Sequence, residues 1–108
     1  MPAVRLDGSE ITDWNAFHAA CRTAFGFPDF YGCNMDAWID CLSSLREDDG
    51  MSRFRLEGDD MLCIEVLHTD ALRQQAPAIL AALEDCTAEV NERYAESGEK
   101  PALALLLR

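Results

Sequence analysis

A chain of 108 residues suits one domain and hardly two, and its 49% hydrophobic residues supply a real core, which speaks against disorder. Nine basic against twenty acidic residues leave a net charge of -11. That balance speaks against nucleic acid and anionic membranes as ligands and for a basic partner, steered in by the opposite field, although acidity also serves plain solubility.

Ala3 to Leu6, closed by the turn pair Asp7-Gly8, reads as a first strand. Thr12 is placed to cap a helix whose apolar side carries Trp14, Phe17, Cys21, Ala24 and Phe25 and which ends near Gly26. Phe27 to Cys33 contains Pro28 and Gly32 and reads as a loop. Asn34 can cap a second helix, from Met35 to Leu45. Glu47 to Asp60 is charged, contains Gly50 and Gly58, and is expected to project as a surface excursion. Met61 to Leu67 is nearly continuous in apolar residues, as expected of a strand buried on both faces. Thr69 is a candidate cap for a short helix before Pro77. A longer one follows, to about Glu96, with Ile79, Leu80, Leu83, Cys86, Val90 and Tyr94 as its stripe. Ser97-Gly98 ends it, and Ala102 to Leu107 forms a last strand.

This alternation predicts an α/β fold over residues 1–108: a single domain with a three-stranded parallel sheet packed by three to four helices. The five cysteines are odd in number and none has C-x-x-C spacing, so no zinc or redox site is expected. Neither a signal-peptide core nor a membrane-spanning run is visible. With free thiols this predicts a cytoplasmic protein. An enzyme is not expected. His18 falls at the edge of an apolar helix face and His68 at the end of a strand, with no nucleophile motif, phosphate loop or metal cluster beside either. No cofactor and no metal are expected.

On a wheel of about 100° per residue, Met35, Ala37, Trp38, Cys41, Leu42 and Leu45 share one arc of the second helix. Asp36, Asp40, Ser43 and Ser44 share the opposite arc, and Ile39 lies on the border. Asp36 and Asp40 are one turn apart, a mild like-charge cost that the helix dipole offsets for Asp36. A solvated helix face would look the same. Phe30 and Tyr31, just before this helix, argue for more, since aromatic side chains beside a charged patch are enriched at protein interfaces. One of the two could instead anchor the loop in the core.

At these residues the chain resembles the barstar family, intracellular inhibitors of the secreted bacterial ribonuclease barnase. Phe27 to Leu42, about a sixth of the chain, looks like the family's inhibitory segment, with Pro28, Tyr31, Gly32, Asn34, Asp36, Ala37, Asp40, Cys41 and Leu42 in register. The resemblance implies that loop and helix plug a ribonuclease active site. Asp40 would be the principal phosphate mimic and Asp36 a second acid. Phe30 and Tyr31 would pack on the enzyme, with Gly32, Asn34, Ile39, Ser43 and Ser44 completing the contact. The implied partner is a basic ribonuclease bound by a free monomer.

Three departures stand out. Phe30 replaces a tyrosine of barstar, and Trp38-Ile39 replaces Leu-Trp, which moves the indole into the apolar arc. A contacting glutamate at the start of barstar's last helix has no match near Pro77. Glu47–Asp60 looks like an insertion. The alternative reading is a barstar-fold binding or regulatory module with a non-nuclease partner.

Overall fold

Strands β1 (Ala3–Asp7), β2 (Leu62–Leu67) and β3 (Leu103–Leu107) pair in parallel in the order β1-β2-β3. The computed structural model describes all residues, 1–108. Val4 lies opposite Ile64, and Ile64 opposite Leu105, so one sheet face lines the core. The other face stays half-open: Cys63, Glu65 and Leu67 alternate with the buried Leu62, Ile64 and Val66. This corrects the expectation that β2 is buried on both faces. The strands step in one direction across the sheet. Two successive crossovers of the usual right hand then place every helix on the same side. On the open face Arg5 and Arg108 both reach Glu65, at 2.8 and 2.9 Å. The two guanidinium hydrogen bonds hold its carboxyl below the usual range.

Helix α1 (Trp14–Phe25) is capped by Asp13, not Thr12: the Asp13 carboxylate accepts from the Ala16 N–H at 2.8 Å. It stops at Gly26, whose φ of 68° suits glycine and whose missing Cβ admits Arg53. Helix α2 (Met35–Leu42) is capped by Asn34 as expected, through Ala37 N–H at 2.8 Å. It ends three residues before Leu45 because a buried tyrosine intervenes. Tyr94 Oη donates to the Leu42 carbonyl at 3.0 Å and accepts from Leu45 N–H at 2.8 Å, which turns the chain into the core.

The Glu47–Asp60 segment does not project; it straps down the end of α1. Ser52 Oγ and Arg53 N–H donate to the Phe25 carbonyl at 2.7 and 2.9 Å, and Arg53 Nε to Ala24 at 2.9 Å. Leu56 is buried and its N–H donates to Leu45 at 2.7 Å. Its charge pattern hid this role, because the anchors are backbone groups and single side chains. Arg46 ties the strap's end to the loop before β3, donating to Asp60, Lys100 and Pro101 carbonyls.

Helices α3 (Thr69–Gln75) and α4 (Pro77–Glu96) divide at Pro77 as expected. Thr69 is the first helical residue rather than the cap; its hydroxyl donates to Val66, and His68 takes the flanking left-handed position. The stripe of α4 buries Ile79, Leu80, Leu83, Val90 and Tyr94 as expected, but Thr87 replaces Cys86, which is only half-buried. Thr87 fits because its hydroxyl donates to Leu83 one turn back, at 2.7 Å. Asn91 clasps the start of β3, accepting from Ala102 and Leu103 N–H and donating to the Leu103 carbonyl.

Candidate functional site

The loop between α1 and α2 is built from the core outward. Phe27 stacks on Phe25 with centroids 5.2 Å apart and lies 4.6 Å from the Tyr31 ring. A turn closes with Tyr31 N–H donating to the Pro28 carbonyl at 2.9 Å. Tyr31 then points inward: it is only 6% exposed, and its hydroxyl lies 2.7 Å from His18 Nδ1. Burial pushes the Tyr31 hydroxyl above its ordinary pKa and the His18 imidazole below its own. Both stay neutral at physiological pH, so the tyrosine O–H can donate to an unprotonated ring nitrogen. Phe30 points the other way and is 75% exposed.

Asn34 does double duty at the junction, capping α2 and donating to the Gly32 carbonyl at 3.3 Å. Gly32 and Cys33 stay exposed. Along α2, Asp36 and Asp40 are exposed on one face. Trp38 is fully buried beneath them, consistent with the indole's move into the apolar arc. Ile39 is also buried, at 8% exposure. Tyr31 and Ile39, expected as surface contacts, therefore lie in the core: Tyr31 turns toward His18 of α1, and Ile39, at the border of the apolar arc, joins the buried cluster. They support the face from behind. Ser43 and Ser44 are half-buried beside a polar cleft of about 360 Å³ between the ends of α2 and α4.

Two arginines on this side were not anticipated from sequence. Arg93 of α4 donates to Asp40 at 2.8 Å across a separation of 53 residues. Arg46, nine-tenths buried as a side chain, lies over the Tyr94 ring at 5.2 Å and within 3.5 Å of Glu99. Neither contact has a local sequence signal, since each depends on how α2 and the strap settle against α4.

Other chemistry-bearing groups do not converge. Burial pushes the Cys21 thiol up to about 12, against a weaker opposing effect of the Trp38 indole. Burial also raises Cys41, aided by Asp40 and Asp49, and Cys86, aided by Asp85, Asp36 and Glu89. These thiols stay protonated at neutral pH and are poor nucleophiles. His68 borders an open cleft at the carboxyl end of β2 with Thr69, Asp70 and Arg108; the Thr69 hydroxyl there is already given to Val66. No three His, Cys, Asp or Glu side chains gather as metal ligands. No helix is long and apolar enough to cross a membrane.

The site thus combines an outward phenyl, a loop anchored through the buried Tyr31 and two carboxylates on one short helix, carried by a parallel three-stranded sheet. The family model described as Barstar (barnase inhibitor) matches residues 1–105. Among curated proteins none matches at a significant level. With nearly its whole length matched and the fold in agreement, the chain belongs to the barstar family.

Proposed function

We propose that this protein is a cytoplasmic inhibitor of a basic, barnase-like ribonuclease, and that it blocks the active site with the Phe30 loop and the acidic face of α2. The observation that carries the proposal is the exposure of Asp36 and Asp40 on one helix face beside the exposed Phe30. A ribonuclease holds RNA phosphate with cationic side chains, and carboxylates at comparable spacing satisfy the same groups. The net charge of -11 would speed the encounter. Phe30 would fill an apolar recess near the catalytic groups. Gly32, Asn34, Ser43 and Ser44 would form the rim, while Tyr31 and Ile39 hold the face in place. The free inhibitor is a monomer and catalyses nothing itself.

The test is an RNA hydrolysis assay with barnase, and with any small basic nuclease captured from the source cell's secretions. One equivalent of the protein should abolish cleavage; undiminished cleavage by every such nuclease would contradict the proposal. A second reading, a binding module with a non-nuclease partner, draws on one observation. Arg93 neutralises Asp40, the main phosphate mimic. Capture of a partner without nuclease activity, through a surface that needs Phe30 and Asp36, would favour it.

A further inference from the structure

We propose that Arg93 is a specificity-determining residue of the docking face: it competes with the target for the Asp40 carboxylate. The proposal rests on the inhibitor reading above and adds a role for a residue of α4. Of the two acids on the α2 face, only Asp40 has an ion-pair partner within the protein, Arg93 Nη1 at 2.8 Å. Asp36 has none. The face therefore contains one bare acid and one that already holds a guanidinium.

The pair is exchangeable. The Arg93 and Asp40 side chains are 44% and 63% exposed, so water screens their attraction. A target cation that reaches Asp40 must share the carboxylate with Arg93 or displace it. If they share it, two positive charges stand within a few ångströms while the interface expels water, and their repulsion grows as water leaves. If Arg93 is displaced, it has somewhere to go. It lines the cleft between α2 and α4 that also contains Glu47, an acid with no ion-pair partner. Either route costs binding energy that a neutral residue at position 93 would not. Arg93 reaches only one Asp40 oxygen, so a target guanidinium that engages both oxygens meets that cost.

The experiment compares inhibition constants against barnase for the wild-type protein, Arg93→Gln and Arg73→Gln at low and high salt. Arg73 serves as control because it pairs with Asp70 on α3 and its loss changes the net charge equally. Arg93→Gln should bind roughly three- to tenfold tighter at low salt, with the gain shrinking at high salt, while Arg73→Gln stays within about twofold. Inhibition by Arg93→Gln where the wild type fails to inhibit would support the same conclusion. Equal or weaker binding by Arg93→Gln, with the wild type still inhibiting, would overturn the competition and leave the inhibitor reading standing. Failure of both proteins to inhibit barnase and every basic nuclease captured from the source cell's secretions would overturn the inhibitor reading and the competition with it.

Discussion

Tyr31 Oη and His18 Nδ1 meet at 2.7 Å inside the core, which joins the loop bearing Phe30 to helix α1. The His18 ring also stacks near Trp14, at 5.8 Å, and lies 5.2 Å from Phe17. A loop with one outward aromatic is thus held by one inward aromatic next to it. Rigid presentation matters at an interface because ordering a loose loop on binding consumes affinity.

Removal of the hydroxyl tests this anchor. Tyr31→Phe keeps the ring but leaves His18 Nδ1 without its partner, at a cost of about 1–2 kcal/mol in urea-unfolding stability. Inhibition should weaken with it, although Tyr31 is almost wholly covered. Unchanged stability would mean that the hydrogen bond holds nothing.

The same histidine sets a pH dependence. Burial lowers His18 below its ordinary 6.5, so the unfolded chain takes up a proton at a pH where the folded protein does not. His18 leaves stability unaffected well above pH 6.5 and subtracts from it as the pH falls below that value, levelling off beneath the folded pKa. Glu65 acts in a lower window. Held down by Arg108 and Arg5, it contributes stability above its usual 4.5 that is lost as the pH falls through its folded pKa. Unfolding followed from pH 7.5 to 5 should therefore lose slope in His18→Gln, and the slope below pH 4.5 should flatten in Glu65→Gln.

Phe30 offers a separation of binding from folding. At 75% exposure its truncation to alanine should change stability by no more than about 0.5 kcal/mol. Affinity for the ribonuclease should fall by about 2 kcal/mol, as expected of an aromatic anchor. Calorimetry with and without the partner checks both. A stability loss with intact binding would reverse the roles of Phe30 and Tyr31.

Gly8 tests the packing beside β2. A Cβ there would stand 2.7 Å from the Leu67 carbonyl oxygen, 2.8 Å from that of His68 and 3.0 Å from Leu72 Cβ. Two of these are backbone atoms that cannot swing aside. Gly8→Ala should cost about 1–3 kcal/mol in thermal or urea unfolding. A neutral result would show that the turn after β1 shifts freely.

Much of this was legible from sequence. Element order, the Asn34 cap, the break at Pro77 and the buried Trp38 follow from local spacing and cap chemistry. The open sheet face was only partly legible: Glu65 alone marks it, because Cys63 and Leu67 are as apolar as their buried neighbours. The strap was misread for a related reason: its few anchors, Ser52, Arg53 and Leu56, sit among charges. In the site, motif spacing located Asp36, Asp40 and Phe30. It could not assign the inward turn of Tyr31, which depends on His18, or the Arg93 contact, which depends on α4 meeting α2.

The most direct measurement is the inhibition constant against a basic, barnase-like ribonuclease for the wild-type protein and Asp40→Ala. The wild type should titrate the enzyme one to one. Asp40→Ala should bind more weakly by about 3 kcal/mol, since a target cation would lose its partner inside a closed interface. Equal inhibition by the two proteins would contradict the assignment of the α2 face as the inhibitory surface.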